Sequence, residues 1–352
     1  MKRLVTLAAL ALAACATPPR EEAHVPQWSI AIHGGAGVIE RGQMSPELEK
    51  EYQQALSAAA EAGAITLRNG GSALDAVETI IIRLEDDPLF NAGRGAVFTA
   101  EGRNELDASI MDGATRKAGA VAGLRTTHHP ISAARAVMER SPHVMLAGEG
   151  ADRFAREQNL DQVDPSWFFT ERRWQSLERE LRRQNLPIPA RPAGTPAPLP
   201  SDQRSDLAPL DDHKYGTVGV VVRDTKGNLA AGTSTGGMTA KRWGRVGDAP
   251  IIGAGTYAQN GVCAVSATGS GEYFIRLSVA RMICARMERG ESAQQAADAV
   301  IQQELTGIGG DGGVIVMGAD GVSGWSFNTS GMHRVRYVDG GTPIVAIYKD
   351  EE

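Results

Sequence analysis

Residues 185–212 split this chain into two parts. The stretch is rich in Pro, Ala, Asp and Ser and has no apolar period, so it supplies neither a buried strand nor a helix. It reads as a mobile linker, and it ends just before Tyr215-Gly216-Thr217. Upstream, from residue 27 to 184, helical and strand-like segments mix. Downstream, from 217 to 352, strand-like runs lie next to each other and the helices are grouped. That texture predicts an α+β chain of stacked sheets flanked by helices, not a strict βαβ alternation. The chain has 352 residues, 42% of them hydrophobic, which is ample for one large core or two small ones.

Apolar spacing predicts helices over 46–68, 72–85, 131–140, 150–158, 171–184, 272–288 and 292–305. Strands are predicted over 28–33, 95–98, 106–111, 118–124, 218–223, 229–232, 251–254, 262–267, 314–317, 324–327 and 344–348. The helix at 171–184 is charged and amphipathic, so a solvated surface face is expected of it. The net charge of −6 offers no footprint for nucleic acid. No apolar run of transmembrane length follows the first residues.

The start reads as a targeting segment. Lys2 and Arg3 precede an apolar run to Ala14, and Leu12-Ala13-Ala14-Cys15 resembles a bacterial lipobox. Residues 1–15 are therefore expected to be a signal, Cys15 a lipidation site and 16–26 a tether. Export to the periplasm with an outer-membrane lipid anchor follows, the anchor being the chain's only tie to a membrane. An ordinary secretory signal cut near the same place is the alternative. Cys263 and Cys284 remain, and buried free thiols are expected of them, since their spacing requires no pairing.

Two motifs mislead. Gly307-Ile-Gly309-Gly-Asp-Gly312 satisfies the dinucleotide pattern, but a helix precedes it and a strand follows, which is the reverse of what that site needs. Gly232-Thr-Ser234-Thr-Gly236 matches a serine nucleophile elbow, and Ser234, Asp311 and His333 could be written as a triad. The elbow must deliver its serine into a helix, and the Gly-rich 236–244 segment has little helical spacing. No metal-ligand motif such as H-E-x-x-H or C-x-x-C occurs.

Amide hydrolysis needs a nucleophile, a base, an oxyanion hole and a substrate clamp. An N-terminal Thr supplies the first two, because its free α-amine titrates near neutrality. Such a Thr must be exposed by a cut before it, and Gly tolerates a strained backbone on the other side. Gly216-Thr217-Val218-Gly219, at the end of the linker and the start of a strand, meets that demand.

Several further segments now carry a resemblance. They are His33-Gly-Gly-Ala-Gly37, Asn91-Ala-Gly-Arg-Gly-Ala-Val-Phe98, Thr233-Ser-Thr-Gly-Gly-Met238, Gly244-Arg-Val-Gly-Asp248 and Ala267-Thr-Gly-Ser-Gly271. With Gly216-Thr-Val-Gly219 and in this order, they resemble the plant-type asparaginase/isoaspartyl peptidase family of N-terminal-nucleophile hydrolases, over about residues 28–350.

The resemblance implies a four-layer αββα sandwich, cleaved between Gly216 and Thr217 and assembled as a homodimer of cleaved protomers. It implies Thr217 as nucleophile, Thr235 tuning it, and Thr268 with Gly269 as the oxyanion hole. Arg245 would clamp the substrate α-carboxylate, for which its planar fork is suited. Asp248 would hold the α-ammonium, with Gly271 and Asn91 assisting. The loop carbonyls of Leu84, Glu85, Asp87, Phe90, Ala92 and Arg94 would bind a structural sodium ion, and catalysis would need no cofactor. The small-molecule substrates implied are L-asparagine and β-aspartyl peptides, cleaved through a covalent β-aspartyl ester. The related glycosylasparaginase branch is the alternative, although it usually has Asn where this chain has Gly237.

Overall fold

The computed structural model describes residues 26–42, 44–197 and 216–351. The expected signal, Cys15 and most of the tether lie outside the described residues, as do linker residues 198–215. The apolar runs form two sheets. The larger contains β1 (Ser29–Gly37), β2 (Leu106–Asp112), β3 (Ala118–Leu124), β4 (Met145–Ala147), β5 (Val218–Arg223) and β6 (Leu229–Thr235). The smaller contains β7 (Thr256–Gln259), β8 (Cys263–Gly269), β9 (Gly312–Gly318) and β10 (Ser323–Phe327). Strands β11 (Gly331–Val338) and β12 (Ile344–Tyr348) complete the larger sheet, whose order is β12-β11-β1-β5-β6-β2-β3-β4. The smaller runs β10-β9-β8-β7. Among the strand pairs of the described residues, β3 and β4 alone run parallel.

The alternation of side chains along β5 explains the layering. Val218, Val220 and Val222 pack toward helices, while Val221 faces the smaller sheet. Each fully buried Val is worth roughly 1.5–3 kcal/mol relative to exposure. The helices on the first face are α1 (Pro46–Arg68), α2 (Ala73–Asp86) and α3 (Pro130–Arg140). Ser45 caps α1 by accepting from the Leu48 N–H at 3.2 Å, with Pro46 at the first helical position. Ser72 and Asp75 close a capping box on α2. Between the sheets lie Ala31, Val221, Ala231, Ala264, Ile315 and Met332.

After α4 (Gly148–Glu157) and α5 (Glu171–Arg183), the remaining helices α6 (Gly271–Leu277), α7 (Val279–Met287) and α8 (Ala293–Asp298) cover the outer face of the smaller sheet. The result is the expected αββα arrangement.

Several expectations are corrected. The predicted strand at 95–98 is a 3₁₀ turn over Gly93–Gly95, followed by an isolated bridge from Phe98 to Asn104. Residues 251–254 form turns, and the strand starts at Thr256. The helix at 272–288 breaks at Ser278, whose φ of 51° is left-handed. The last helix turns into a π-helix over Ala299–Leu305. Strand β11 was not expected, because Arg334 and Arg336 interrupt its apolar pattern; yet Arg334 is buried and donates to the carbonyls of Met332 and Tyr348.

Strand β1 runs on through the glycines expected to end it. It bulges at Gly34, between the pairs His33–Arg334 and Gly35–His333. Cys263 and Cys284 are joined in a disulfide between β8 and α7, not held as free thiols. Helix α5 has its solvated face, but Trp174, Leu177 and Leu181 pack with Phe98 and Phe169. Its buried Arg173 donates through Nε to the Gly95 carbonyl at 2.7 Å.

Candidate active site

Strands β5 and β6 pair antiparallel with Val218 opposite Ser234, so the register brings Thr217 beside Thr235. The Thr217 hydroxyl donates to Thr235 Oγ1 at 2.9 Å. Thr235 Oγ1 also accepts the Gly237 N–H at 3.0 Å. Both side chains are nearly buried, and both line one cavity of about 160 Å³.

The backbone before Thr217 is tightly held. The Gly216 carbonyl accepts the Asn91 N–H at 3.2 Å. A Cβ on Gly216 would stand 2.7 Å from Asn91 Cβ, and one on Gly35, at φ 109°, would stand 2.6 Å from Gly216 Cα. Such separations exclude any side chain at either place without backbone movement. Asn91 itself is a hub. Its Nδ2 donates to the Gly237 carbonyl at 2.7 Å and its Oδ1 accepts the Val97 N–H at 3.0 Å. It therefore joins the loop after α2 to both threonine segments from outside the cavity lining.

Behind Thr217 a row of neutral groups crosses between the sheets. The Thr217 carbonyl can only accept, so His33 Nδ1, 3.0 Å away, carries the hydrogen. His33 Nε2 then accepts from Ser266 Oγ at 3.0 Å. Ser266 lies 2.7 Å from Thr233 Oγ1, which lies 2.5 Å from Thr256 Oγ1, and Ser109 Oγ follows at 2.8 Å. Burial lowers the His33 pKa to about 3, so the ring stays neutral; Ser266 Oγ spends its hydrogen on Nε2 and accepts from Thr233.

The opposite wall is ionic. Arg245 and Asp248 line the cavity with Met238, Gly247, Gly269, Ser270 and Glu272. Arg245 is held by Glu272 through Nε at 3.0 Å and Nη2 at 3.1 Å. Burial pushes the Asp248 carboxyl up to about 7, against the opposing pull of Arg245. Its Oδ2 is buried and makes no hydrogen bond, so this cavity-lining residue carries an uncompensated acceptor. Gly271 keeps this corner open, since a Cβ there would lie 2.9 Å from both Arg245 Nη2 and Asp248 N. Gly269 lines the cavity, whereas Thr268 is fully buried below it, its Oγ1 3.4 Å from the Ala36 N–H.

Comparison with known proteins gives this site a context. A family described as "Asparaginase" matches residues 26–347. An isoaspartyl peptidase of Salmonella typhimurium is 50% identical, over 91% of this chain and 98% of its own length. One from Escherichia coli is 48% identical, over 92% and 96%. The human isoaspartyl peptidase/L-asparaginase is 38% identical, over 84% and 89%. This chain belongs to the asparaginase family.

The family membership corrects one expectation. The outer-membrane lipoprotein reading is withdrawn: the two bacterial relatives align almost end to end with this chain and are named as peptidases alone. Among the described residues, no helix is long and apolar enough to cross a membrane.

The serine-elbow alternative also fails within this asparaginase fold. Ser234 sits inside β6 and donates to Glu85 Oε1 at 2.6 Å. That carboxyl is pushed up to about 8 by burial. Asp311 bonds Ser270, and His333 stacks on Tyr52 at 4.2 Å, so the three residues make different contacts. Gly307–Gly312 is the helix-to-strand turn its context implied.

Sequence reasoning assigned no role to Glu272, Met238, His33, Ser266 or Thr233. Glu272 stands one residue beyond the Ala267–Gly271 motif, and only the fold folds it back onto Arg245. Single hydroxyls in strands leave no pattern in a sequence.

Proposed function

We propose that Thr217, freed as a new N-terminus by a cut after Gly216, is the nucleophile of this β-aspartyl bond hydrolase. The observation that carries the reading is the Thr217–Thr235 hydroxyl pair, 2.9 Å apart, facing Arg245 and Asp248 across one small cavity. The chain's relatives hydrolyse such bonds by name, and the site supports the same chemistry here.

In the first event Thr217 Oγ1 attacks the Gly216 carbonyl carbon. The Asn91 N–H already sits on that oxygen and would stabilise its developing charge. The C–N bond between Gly216 and Thr217 then breaks as its nitrogen takes the hydroxyl proton, and water hydrolyses the resulting Gly216 ester, leaving a free α-amine on Thr217.

In turnover that amine takes the hydroxyl proton, and Oγ1 attacks the β-carbonyl of the substrate. Arg245 pairs with the α-carboxylate and Asp248 with the α-ammonium, so only a β-linked carbonyl reaches Thr217. Gly269 and Thr268 would face the oxyanion. Ammonia or a peptide amine leaves, and water releases aspartate from the ester. Nucleophile and base both come from Thr217, so the chemistry needs no cofactor.

The loop after α2 is a second part of the reading. Leu84 and Glu85 present carbonyls at the C-terminal, negative end of α2. Gly93 and Gly95 let the loop close on itself: a Cβ at Gly95 would meet the Pro88 carbonyl oxygen at 2.7 Å. Asp87 and Ala92 carbonyls each accept one turn hydrogen bond and keep a second lone pair. With Phe90 and Arg94, these backbone oxygens are the hard-donor set that a sodium ion of structural role would take. Pairing of cleaved protomers into a homodimer is carried forward from the resemblance, with light scattering as its check.

Intact-mass measurement of the purified chain tests the core of the proposal. A fragment beginning at Thr217 is expected, with β-aspartyl dipeptide hydrolysis and ammonia release from L-asparagine assayed side by side. Thr217→Ala should leave one uncut, inactive chain. Turnover by Thr217→Ala would overturn the reading.

A further inference from the structure

Outside the cavity, one group of three metal-ligating side chains occurs among the described residues: Asp86, His128 and His129. Asp86 ends α2, and the two histidines immediately precede α3. The three are brought together by the packing of α2 against α3, and none of them lines the cavity of Thr217.

Their geometry is close to what a tetrahedral ion needs. Asp86 Oδ1 lies 3.0 Å from His129 Nε2 and 3.3 Å from His128 Nε2. Ligands about 2.0–2.1 Å from a zinc ion and at tetrahedral angles stand about 3.3 Å apart. All three ligand atoms lie within 4.8 Å of one another, so the remaining edge closes with a small splay of the rings. The rings now stack at 3.9 Å.

His128 Nε2 adds an independent observation. It is cut off from solvent, and its polar neighbour is Asp86 Oδ1 at 3.3 Å, in an ion pair that falls short of hydrogen-bond geometry. One carboxylate oxygen is thus shared by two ring nitrogens, and a shared acceptor leaves His128 Nε2 poorly satisfied in that buried place. The ring is also held in place, with Trp167 edge-on at 5.2 Å and Arg94 covering that indole at 4.4 Å. The backbone N–H of His128 is fixed by the Asp161 carbonyl at 2.9 Å.

We propose that Asp86, His128 and His129 form a surface site for a zinc-class divalent cation, with a fourth position open to water. Two imidazoles and a carboxylate are a borderline-soft set that takes zinc in preference to calcium or magnesium. Bound there, the ion ties the C-terminal end of α2 to the start of α3. It thereby braces the base of the loop that carries Asn91. It is distinct from the carbonyl site proposed for sodium, which uses backbone oxygens only.

The test uses untagged, chelator-treated, full-length protein, titrated with zinc chloride alone. Calorimetry should report one site per chain, and zinc should raise the unfolding temperature. His129→Asn and Asp86→Asn, each first shown to match the wild-type unfolding temperature without metal, should weaken binding about 10–100-fold or more. Cobalt(II) in place of zinc should give the visible absorption of a four-coordinate site in the wild type and lose it in both variants. Equal zinc affinity in wild type and variants, or no uptake at micromolar zinc, overturns the proposal. Neither result depends on hydrolytic activity, so the site and the reading of Thr217 fail separately.

Discussion

The two walls of the cavity are built on different principles. Thr217 and Thr235 stand on adjacent strands of the larger sheet, backed by His33, Ser266 and Thr233, all buried and uncharged. Arg245, Asp248 and Glu272 stand on the turn-rich segment after β6 and on the first turn of α6, and all carry ionisable groups. Glu272 is 57% exposed at its side chain. In the proposed reading, one wall fixes where atoms are and the other fixes which charges are accepted. Damage to the first should appear in kcat and damage to the second in KM and in pH dependence.

The sharpest break of that contrast, beyond removal of Thr217 itself, is Thr235→Val. The side chain keeps its size and loses the hydroxyl that accepts from both Thr217 and the Gly237 N–H. Losing one such preorganised contact costs about 10²–10³ in kcat. Self-cleavage should slow as well, seen as uncut chain in a time course by mass spectrometry. Substrate affinity of the cut fraction should change little. A large rise in KM with kcat intact would move Thr235 to the recognition wall.

Arg245→Lys comes next. Charge is kept and the fork is lost, so the carboxylate is held by a point charge in place of two parallel bonds. A drop of about 10²-fold in kcat/KM is expected, most of it in KM. Unchanged kinetics would mean that Arg245 serves only its pair with Glu272.

Asp248 gives the recognition wall its pH signature. Burial holds this carboxyl near 7 in the empty site, so it is neutral below that pH and ionised above it. Only the ionised form attracts an ammonium, so kcat/KM should rise as pH increases through about 7. In the bound state the substrate cation favours ionisation, and this limb should be absent from kcat. The limb that remains in kcat belongs to the Thr217 amine, expected at about 7.7–8.0. His33 contributes nothing in this range, because burial lowers it to about 3. Asp248→Asn should remove the limb near 7 from kcat/KM, leave only the limb of the Thr217 amine, and lower the plateau. Persistence of two ionisations on the acidic side of kcat/KM in the variant would assign the one near 7 to another group.

The same contrast governs what the sequence made legible. The layers could be expected because β1, β5 and β9 are continuous apolar runs and α1 and α2 carry clean starts at Ser45 and Ser72. The Gly-flanked motifs exposed Thr217, Arg245, Asp248 and Gly269, since backbone close to a ligand excludes side chains. What stayed hidden was set by tertiary contact. Arg334 reads as a surface residue but is buried and donates to carbonyls of β11 and β12. The Cys263–Cys284 bond depends on α7 lying against β8, and a spacing of 21 residues does not reveal that. His33 stood inside a recognisable glycine motif, yet its role needs Ser266 and Thr217 brought to its two ring nitrogens.

The smallest effect separates two ways of using charge within the recognition wall. In the empty site both carboxylate oxygens of Glu272 hold Arg245, at 3.0 and 3.1 Å. An incoming α-carboxylate must replace that pair. The pair is half exposed, so its worth is at most about 1 kcal/mol, or about fivefold in binding. Glu272→Gln should therefore lower KM by up to about that factor and leave kcat unchanged. A second readout comes from Asp248, whose raised pKa is due first to burial and in lesser part to the negative charge of Glu272. Removing that charge should move the acidic limb of kcat/KM toward lower pH. If KM rises instead while the limb stays in place, Glu272 is an arm that orients Arg245 for the substrate, and the recognition wall is preorganised in the same sense as the threonine wall.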